Sequence, residues 1–271
     1  MIIKRMARFI RQHDWSAVVV EIIVVIVGLM LAFQIDRWWE QRGERVQEAE
    51  YVDRLIGDIE SDLPNIEHAI NLASLRMDMA ELLMAVVDDP AVALDRPIEF
   101  VASVHQSAFT YSPSLTSHTF EDMRSTGNLR LLRDLTIKGA LYDYYNFDVN
   151  QDQFRPLQFL TEARHFELAA GVLDYKQQLL VQDEWYVVTP EDLVEFDASQ
   201  VDLVDVEMAV ERFRSRPDLI AWIPEVRHLQ LEQIFVNEER LRKANEVLEI
   251  LRAYRDLLND RIETQAPSNA P

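Results

Sequence analysis

The 271-residue chain contains no cysteine, which excludes disulfide staples and thiolate chemistry. The redox compartment stays open, since a cysteine-free chain suits periplasm and cytoplasm alike. Glycine is nearly as scarce, at six residues. So few glycines build no phosphate-binding loop, and no Gly-x-Ser-x-Gly hydrolase elbow occurs. Ser125-Thr126-Gly127-Asn128 sets a hydroxyl beside a glycine, and helix capping explains it, with Gly127 placed for a left-handed C-terminal cap. Positive charge is also in deficit: 27 Lys and Arg face 47 Asp and Glu, a formal charge of −20. Residues 1–16 carry four basic side chains and one acidic one, so the rest of the chain holds −23. Such a surface repels nucleic acid and anionic headgroups, and no nucleic-acid partner is expected.

What the chain has in excess is Leu, Ala, Glu, Arg and Gln, all good helix formers, so the expected fold class is all-α. One long apolar run is present. Ala17–Phe33 is broken only by Glu21, with Trp15 before it and Trp38 and Trp39 after it, where interfacial aromatics belong. At about 1.5 Å per residue, Trp15 to Trp38 covers roughly 35 Å of helix, against a hydrocarbon core of about 30 Å. The rival reading, a cleavable signal peptide, suffers from the run's length and the lack of a small-x-small site after it. A buried soluble helix would need partners able to wrap it on all sides. The expectation is a transmembrane helix over 15–38, a single-pass anchor in a bacterial inner membrane. Basic residues nearly tie across the run: Lys4, Arg5, Arg8 and Arg11 before it, Arg37, Arg42, Arg45 and Arg54 after it. The short tail 1–14 is the easier end to leave inside, so the N-terminus is expected in the cytoplasm and the remainder in the periplasm.

Beyond the anchor, Val52, Ile56, Ile59, Leu63, Ile66, Ile70, Ala73, Met77, Ala80, Met84 and Val87 recur at spacings of four and three. That pattern predicts one helix packed along a seam, continuous with the anchor and kinked at Pro64. Asp88-Asp89-Pro90 ends it. Leu241, Ala244, Leu248, Leu251, Leu258 and Ile262 mark a second long helix, expected over 224–263 and antiparallel to the first. Together they frame an extramembrane domain over 39–263, with a long helix at 39–88 and shorter helices within 97–215. Among these are 97–107, 119–125, one starting after Asp134 as N-cap, 157–180 and 201–214. Residues 183–197 read as an acidic loop, and 264–271 as a disordered tail.

Two stretches resemble a known family. Glu21 through Gly28, then Ala32-Phe33-Gln34-Ile35 and Trp38, are similar to the opening of an uncharacterised bacterial family of single-pass membrane proteins. Thr119 through Leu132, with Tyr144-Tyr145 downstream, resembles that family's helix–Ser–Gly–Asn–Leu segment. The resemblance covers about half the chain and implies a membrane-anchored helical protein, with no catalytic residue to carry over.

Four groups of residues are candidates for function. Glu21, Gly28 and Ala32 share one helix face, and small residues four apart permit close helix approach, so this face is expected to meet another helix. Glu162-x-x-His165 and Glu225-x-x-His228 have the spacing by which di-iron bundles present ligands. With six histidines among 24 glutamates such pairs also arise by chance, and both read as solvated flanks, the apolar face of the first being centred on Phe159, Ala163, Phe166 and Ala170. Tyr142, Tyr144 and Tyr145 either line a ligand pocket or pack as core aromatics, the commoner role. The functional expectation is an interaction or scaffold protein with no evident catalysis and no cofactor, touching the bilayer and forming a homo-oligomer or binding a membrane protein. A small-ligand sensor bundle and a di-iron enzyme are the alternatives.

Overall fold

The computed structural model describes residues 15–152, 155–183 and 203–264. Among them are nine α-helices and no strand. In chain order these are α1 (Trp15–Asp88), α2 (Ala91–Asp95), α3 (Pro97–Gln106), α4 (His118–Thr126), α5 (Leu135–Asp152), α6 (Arg155–Ala169), α7 (Tyr175–Asp183), α8 (Leu203–Arg214) and α9 (Pro217–Thr264). The all-α expectation holds. Of the expected tail 264–271 only Thr264 is described, as the last residue of α9, and most of the acidic stretch 183–197 lies outside the described residues.

Several boundaries follow local chemistry. Thr136 N–H donates to Asp134 Oδ1 at 2.7 Å, the expected N-cap of α5. Gly127 has φ 76°, closing α4 in the left-handed region as expected. Gly171, at φ 82°, follows the end of α6 and divides what was expected as one helix over 157–180. The last helix begins at Pro217, not near Pro224, and Pro224 lies inside it. Pro64 likewise lies within α1. The short α2, just after Pro90, had no separate signal in the periodicity.

The chain divides into two compact units, Asp53–Tyr254 and the flanking Met1–Val52 with Arg255–Pro271. In the larger unit, α1 and α9 are antiparallel: Arg252 reaches Glu60 at 2.7 Å, while Arg227 reaches Glu81 at 2.8 Å. As one helix ascends in number the other descends. At one end of this unit Leu83 and Val86 of α1 share a core with Phe100 and Val104 of α3, Val206 and Phe213 of α8, and Ile223 and Val226 of α9. The rings of Phe100 and Phe213 meet edge to face at 5.9 Å. Each such side chain, fully buried, contributes about 1.5–3 kcal/mol.

The buried seam of α1 differs from the expected one in a way that matters for the site. It runs Val52, Leu55, Ile59, Asp62, Ile66, Ala69, Ala73, Arg76, Ala80 and Leu83. Alternate members match the expected pattern, but the positions between them are 55, 62, 69, 76 and 83 in place of 56, 63, 70, 77 and 84. Ile56 is buried beside the seam, whereas Met84 is 41% exposed. The helix has taken the register that buries Asp62 and Arg76. In α9 the seam is Leu219, Ile223, Val226, Gln230, Gln233, Asn237, Arg240, Ala244, Val247, Leu251 and Tyr254, all buried. Its heptad spacing is unbroken, and four successive members are polar.

In the smaller unit, the section of α1 from Val20 to Ile35 leaves its large apolar side chains about half exposed or more, Val24 reaching 64%. Among the described residues no helix is long and apolar enough to cross a membrane. Counted from Val20, a stretch of bilayer length takes in Glu21, Asp36 and Arg37. The expected complete span over 15–38 is therefore reduced to a plainer statement: α1 has an apolar, uncovered section near its start.

Candidate functional site

The connection from α3 to α4, residues 107–117, carries no regular structure of its own, so its backbone must find partners elsewhere. It finds them on four helices. From α1, the Asp62 carboxylate accepts the Thr116 N–H, with both oxygens at 3.0 Å. Also from α1, Arg76 Nη1 donates to Phe109 O at 3.4 Å, and its guanidinium lies 5.8 Å from the Phe109 ring centre. From α5, Tyr144 Oη donates to Asp62 Oδ2 at 3.1 Å and Tyr145 Oη to Thr116 O at 3.3 Å. From α6, Glu162 Oε1 accepts the Thr110 N–H at 3.3 Å. From α9, Gln230 Nε2 donates to Ser107 O at 2.8 Å and Phe109 O at 2.9 Å.

The ends of the two joined helices are served in the same way. His165 Nε2 bonds Val104 O, one of the carbonyls left open at the end of α3, at 2.9 Å. A carbonyl only accepts, so Nε2 carries the proton of neutral His165. Asp58 Oδ2 accepts the Thr119 N–H at 3.1 Å, capping the start of α4 from a neighbouring helix. Asp62, Arg76 and Gln230, the polar seam members that reach the connection, therefore have a common purpose. They hold an irregular segment inside a helical unit, whereas Asn237 bonds within α9 to Gln233 O and Arg240 to Asn237.

The electrostatics follow from burial. Desolvation raises the Asp62 pKa, opposed by its bonds to Thr116 and Tyr144. Burial likewise raises Glu162, against the bond from Thr110 and the charge of Arg76. The Tyr144 and Tyr145 phenols are pushed far up by burial, and nearby Asp62 adds to both shifts. Both therefore remain hydrogen-bond donors. His105 is lowered by burial, and His165 is lowered chiefly by burial, with its bond to Val104 O opposing and His105 adding to the shift.

The sequence candidates fall into place unevenly. Of the three tyrosines, Tyr144 and Tyr145 are buried core groups, and Tyr145 stacks on Phe120 at 4.6 Å. Tyr142 is partly exposed and meets Phe120 edge to face. The Glu-x-x-His pairs do not act as sets. Glu162 holds the connection at Thr110 and His165 the end of α3 at Val104 O, while Glu225 and His228 lie outside, His228 pairing with Glu232 at 3.3 Å. Among the described residues no group of three or more acidic or histidine side chains has the arrangement to hold a metal ion. His165, expected on a solvated flank, is fully buried, and Phe159, expected at the centre of the apolar face, is exposed. The face was misplaced because α6 turns its histidine line inward. Glu21 and Ala32 are exposed, and a Cβ added at Gly28 would meet nothing within 4 Å. Trp38 and Trp39 meet edge to face at 5.2 Å, with the Arg42 guanidinium 5.7 Å from the Trp38 ring centre. Trp15 opens α1, and its side chain lies outside the described residues.

Sequence reasoning missed an open groove of about 680 Å3 between α6 and α9. Leu157 and Thr161 form one wall, and Leu229, Phe235 and Val236 the other, with Glu225, His228 and Glu232 along α9. Leu157 is 60% and Phe235 73% exposed, costly for such residues in water. The periodicity gave no signal for it, since none of its apolar lining residues belongs to the expected seams. Comparison with known proteins finds no matching family model, no matching curated protein and no matching solved structure.

Proposed function

We propose that this chain is a membrane-tethered helical interaction protein: the start of α1 sits in a bilayer, and the unit Asp53–Tyr254 presents a rigid surface to partners. One observation carries the reading. The apolar side chains from Val20 to Phe33 have no protein cover, and a hydrocarbon phase removes that penalty at roughly 25 cal/mol per Å2. Ala17, Val18 and Val19 extend the run towards spanning length, Glu21 lies near its edge where its carboxylate reaches the headgroups, and Trp38 and Trp39 stand where aromatics anchor. The resemblance of residues 21–38 to a single-pass family supports the same reading. Its orientation would place the N-terminus in the cytoplasm of a bacterial cell and the larger unit in the periplasm. Glu21, Gly28 and Ala32 offer one helix face for a second copy or a membrane partner. The buried carboxylates, phenols and histidines serve the backbone rather than an open cleft, which supports interaction over catalysis.

Alkaline carbonate extraction of full-length protein from native membranes tests the tether. Full-length protein should stay in the pellet, and a variant lacking residues 1–40 should be released. Release of both overturns the anchor. Because the chain has no cysteine, a single Asn128→Cys reports orientation, and an impermeant maleimide should label it in spheroplasts.

A further inference from the structure

We propose that the groove between α6 and α9 receives an amphipathic helix of a partner protein, apolar on the inserted face and basic along its flanks. The proposal rests on the interaction reading and names the kind of partner, but does not depend on the bilayer anchor. The groove's shape fits a helix. Its α9 wall runs from Glu225 to Val236, eleven steps or about 16 Å, three helical turns. Both walls are themselves helices, and a third laid between them buries side chains at i, i+3 or i+4, and i+7. A small molecule would gain little here, since walls as exposed as Leu157 and Phe235 enclose no ligand on all sides.

Charge selects among helices. The titratable side chains lining the groove are Glu225, His228 and Glu232, with no Lys or Arg among the lining residues described. Glu225 and Glu232 are seven residues apart, two turns on one face. The chain as a whole carries −20. A second copy meeting groove to groove would set these carboxylates against their own counterparts, whereas Lys or Arg on an incoming helix finds partners at both. Exposed ion pairs of this kind add modest affinity and more discrimination.

The test uses the full chain, in phosphatidylcholine nanodiscs if it proves membrane-anchored and in solution if it does not. A single Thr161→Cys carries an environment-sensitive dye. The probes are two peptides about 14 residues long, roughly four turns, sharing one leucine stripe and flanked by Lys and Arg in one and by Glu in the other; empty discs give the background. The basic peptide should shift the dye saturably and bind about fivefold more tightly than the acidic one, as two exposed ion pairs would give. Leu157→Asp with Phe235→Asp should abolish the shift with the melting temperature unchanged. Glu225→Gln with Glu232→Gln should keep binding and remove the preference. Absence of a saturable shift, equal binding of both peptides, or the same shift from added unlabelled protein each overturns the proposal, the last making a second copy the occupant. None of these outcomes bears on carbonate extraction, so failure here and failure of the tether are distinguishable.

Discussion

Tyr144 Oη and Asp62 Oδ2 are joined by a hydrogen bond of 3.1 Å across 82 positions of sequence, and the same carboxylate accepts the Thr116 N–H. Asp62 is 1% exposed, so its charge is held by these bonds rather than by water. Tyr144→Phe removes one of them and leaves packing unchanged. It should cost about 1–2 kcal/mol in urea unfolding. Asp62→Leu strands both the Tyr144 hydroxyl and the Thr116 amide in the interior and should cost about 3 kcal/mol. Equal, small costs for the two would show that the carboxylate does not organise the connection.

Gln230 holds the other end of the same segment through two carbonyls, Ser107 O and Phe109 O. Phe109 O keeps Arg76 as a second donor, while Ser107 O has no second bond among those described. Gln230→Leu should therefore cost about 2 kcal/mol, mostly for the stranded carbonyl. The loss should be local as well as global. Hydrogen exchange across residues 107–117 should quicken more than exchange in α9 itself, and uniform quickening would count against the tie.

These two residues also show what was legible in the sequence. Helical class, the length of α1 and the caps at Asp134 and Gly127 could all be read, because they depend on local propensity and spacing. The register of α1 could not. A seam drawn through apolar residues naturally avoids Asp62 and Arg76, and only the needs of residues 107–117, distant in sequence, bring those charges inside. The same blindness hid the middle of the α9 seam, where Gln230, Gln233, Asn237 and Arg240 look like a solvated face. Conversely Phe159 was expected at the centre of an apolar face and is exposed. Polar residues that serve a distant backbone, and apolar ones left exposed on the surface, both defeat periodicity.

Acid should weaken the larger unit through its histidines. His105 and His165 have lowered pKa values, so their neutral forms are favoured on folding. The stability they contribute is complete above the unfolded value near 6.5, and is lost as pH falls from there towards the folded values. Asp62 and Glu162 are raised, so they act in the opposite sense: what they contribute is present below their unfolded values and lost as pH rises through the folded ones. As pH falls below about 6.5 the histidine contribution to the melting temperature should fall, while that of the two carboxyls is kept. His165→Gln keeps a donor for Val104 O and removes the charge, so its melting curve should be flatter with pH than the parent's. A parallel slope in the variant would assign the acid sensitivity elsewhere.

Gly28 permits a test free of the usual confusion between folding and association. Among the described residues nothing lies within 4 Å of a Cβ added there, so a larger side chain starts into open space. Replacing glycine in a helix interior also gains up to about 1 kcal/mol of helix stability. Any loss of function must then come from another molecule. If Glu21, Gly28 and Ala32 form the contact face, Gly28→Leu should weaken self-association in bilayers by about fivefold or more, since it holds the helices apart. Leu29→Ala, one position around the helix, should change little. Energy transfer between labelled copies, diluted with lipid, reads both. If Gly28→Leu associates as the parent does, this face is not where copies meet, and a partner on the face would then be a different protein.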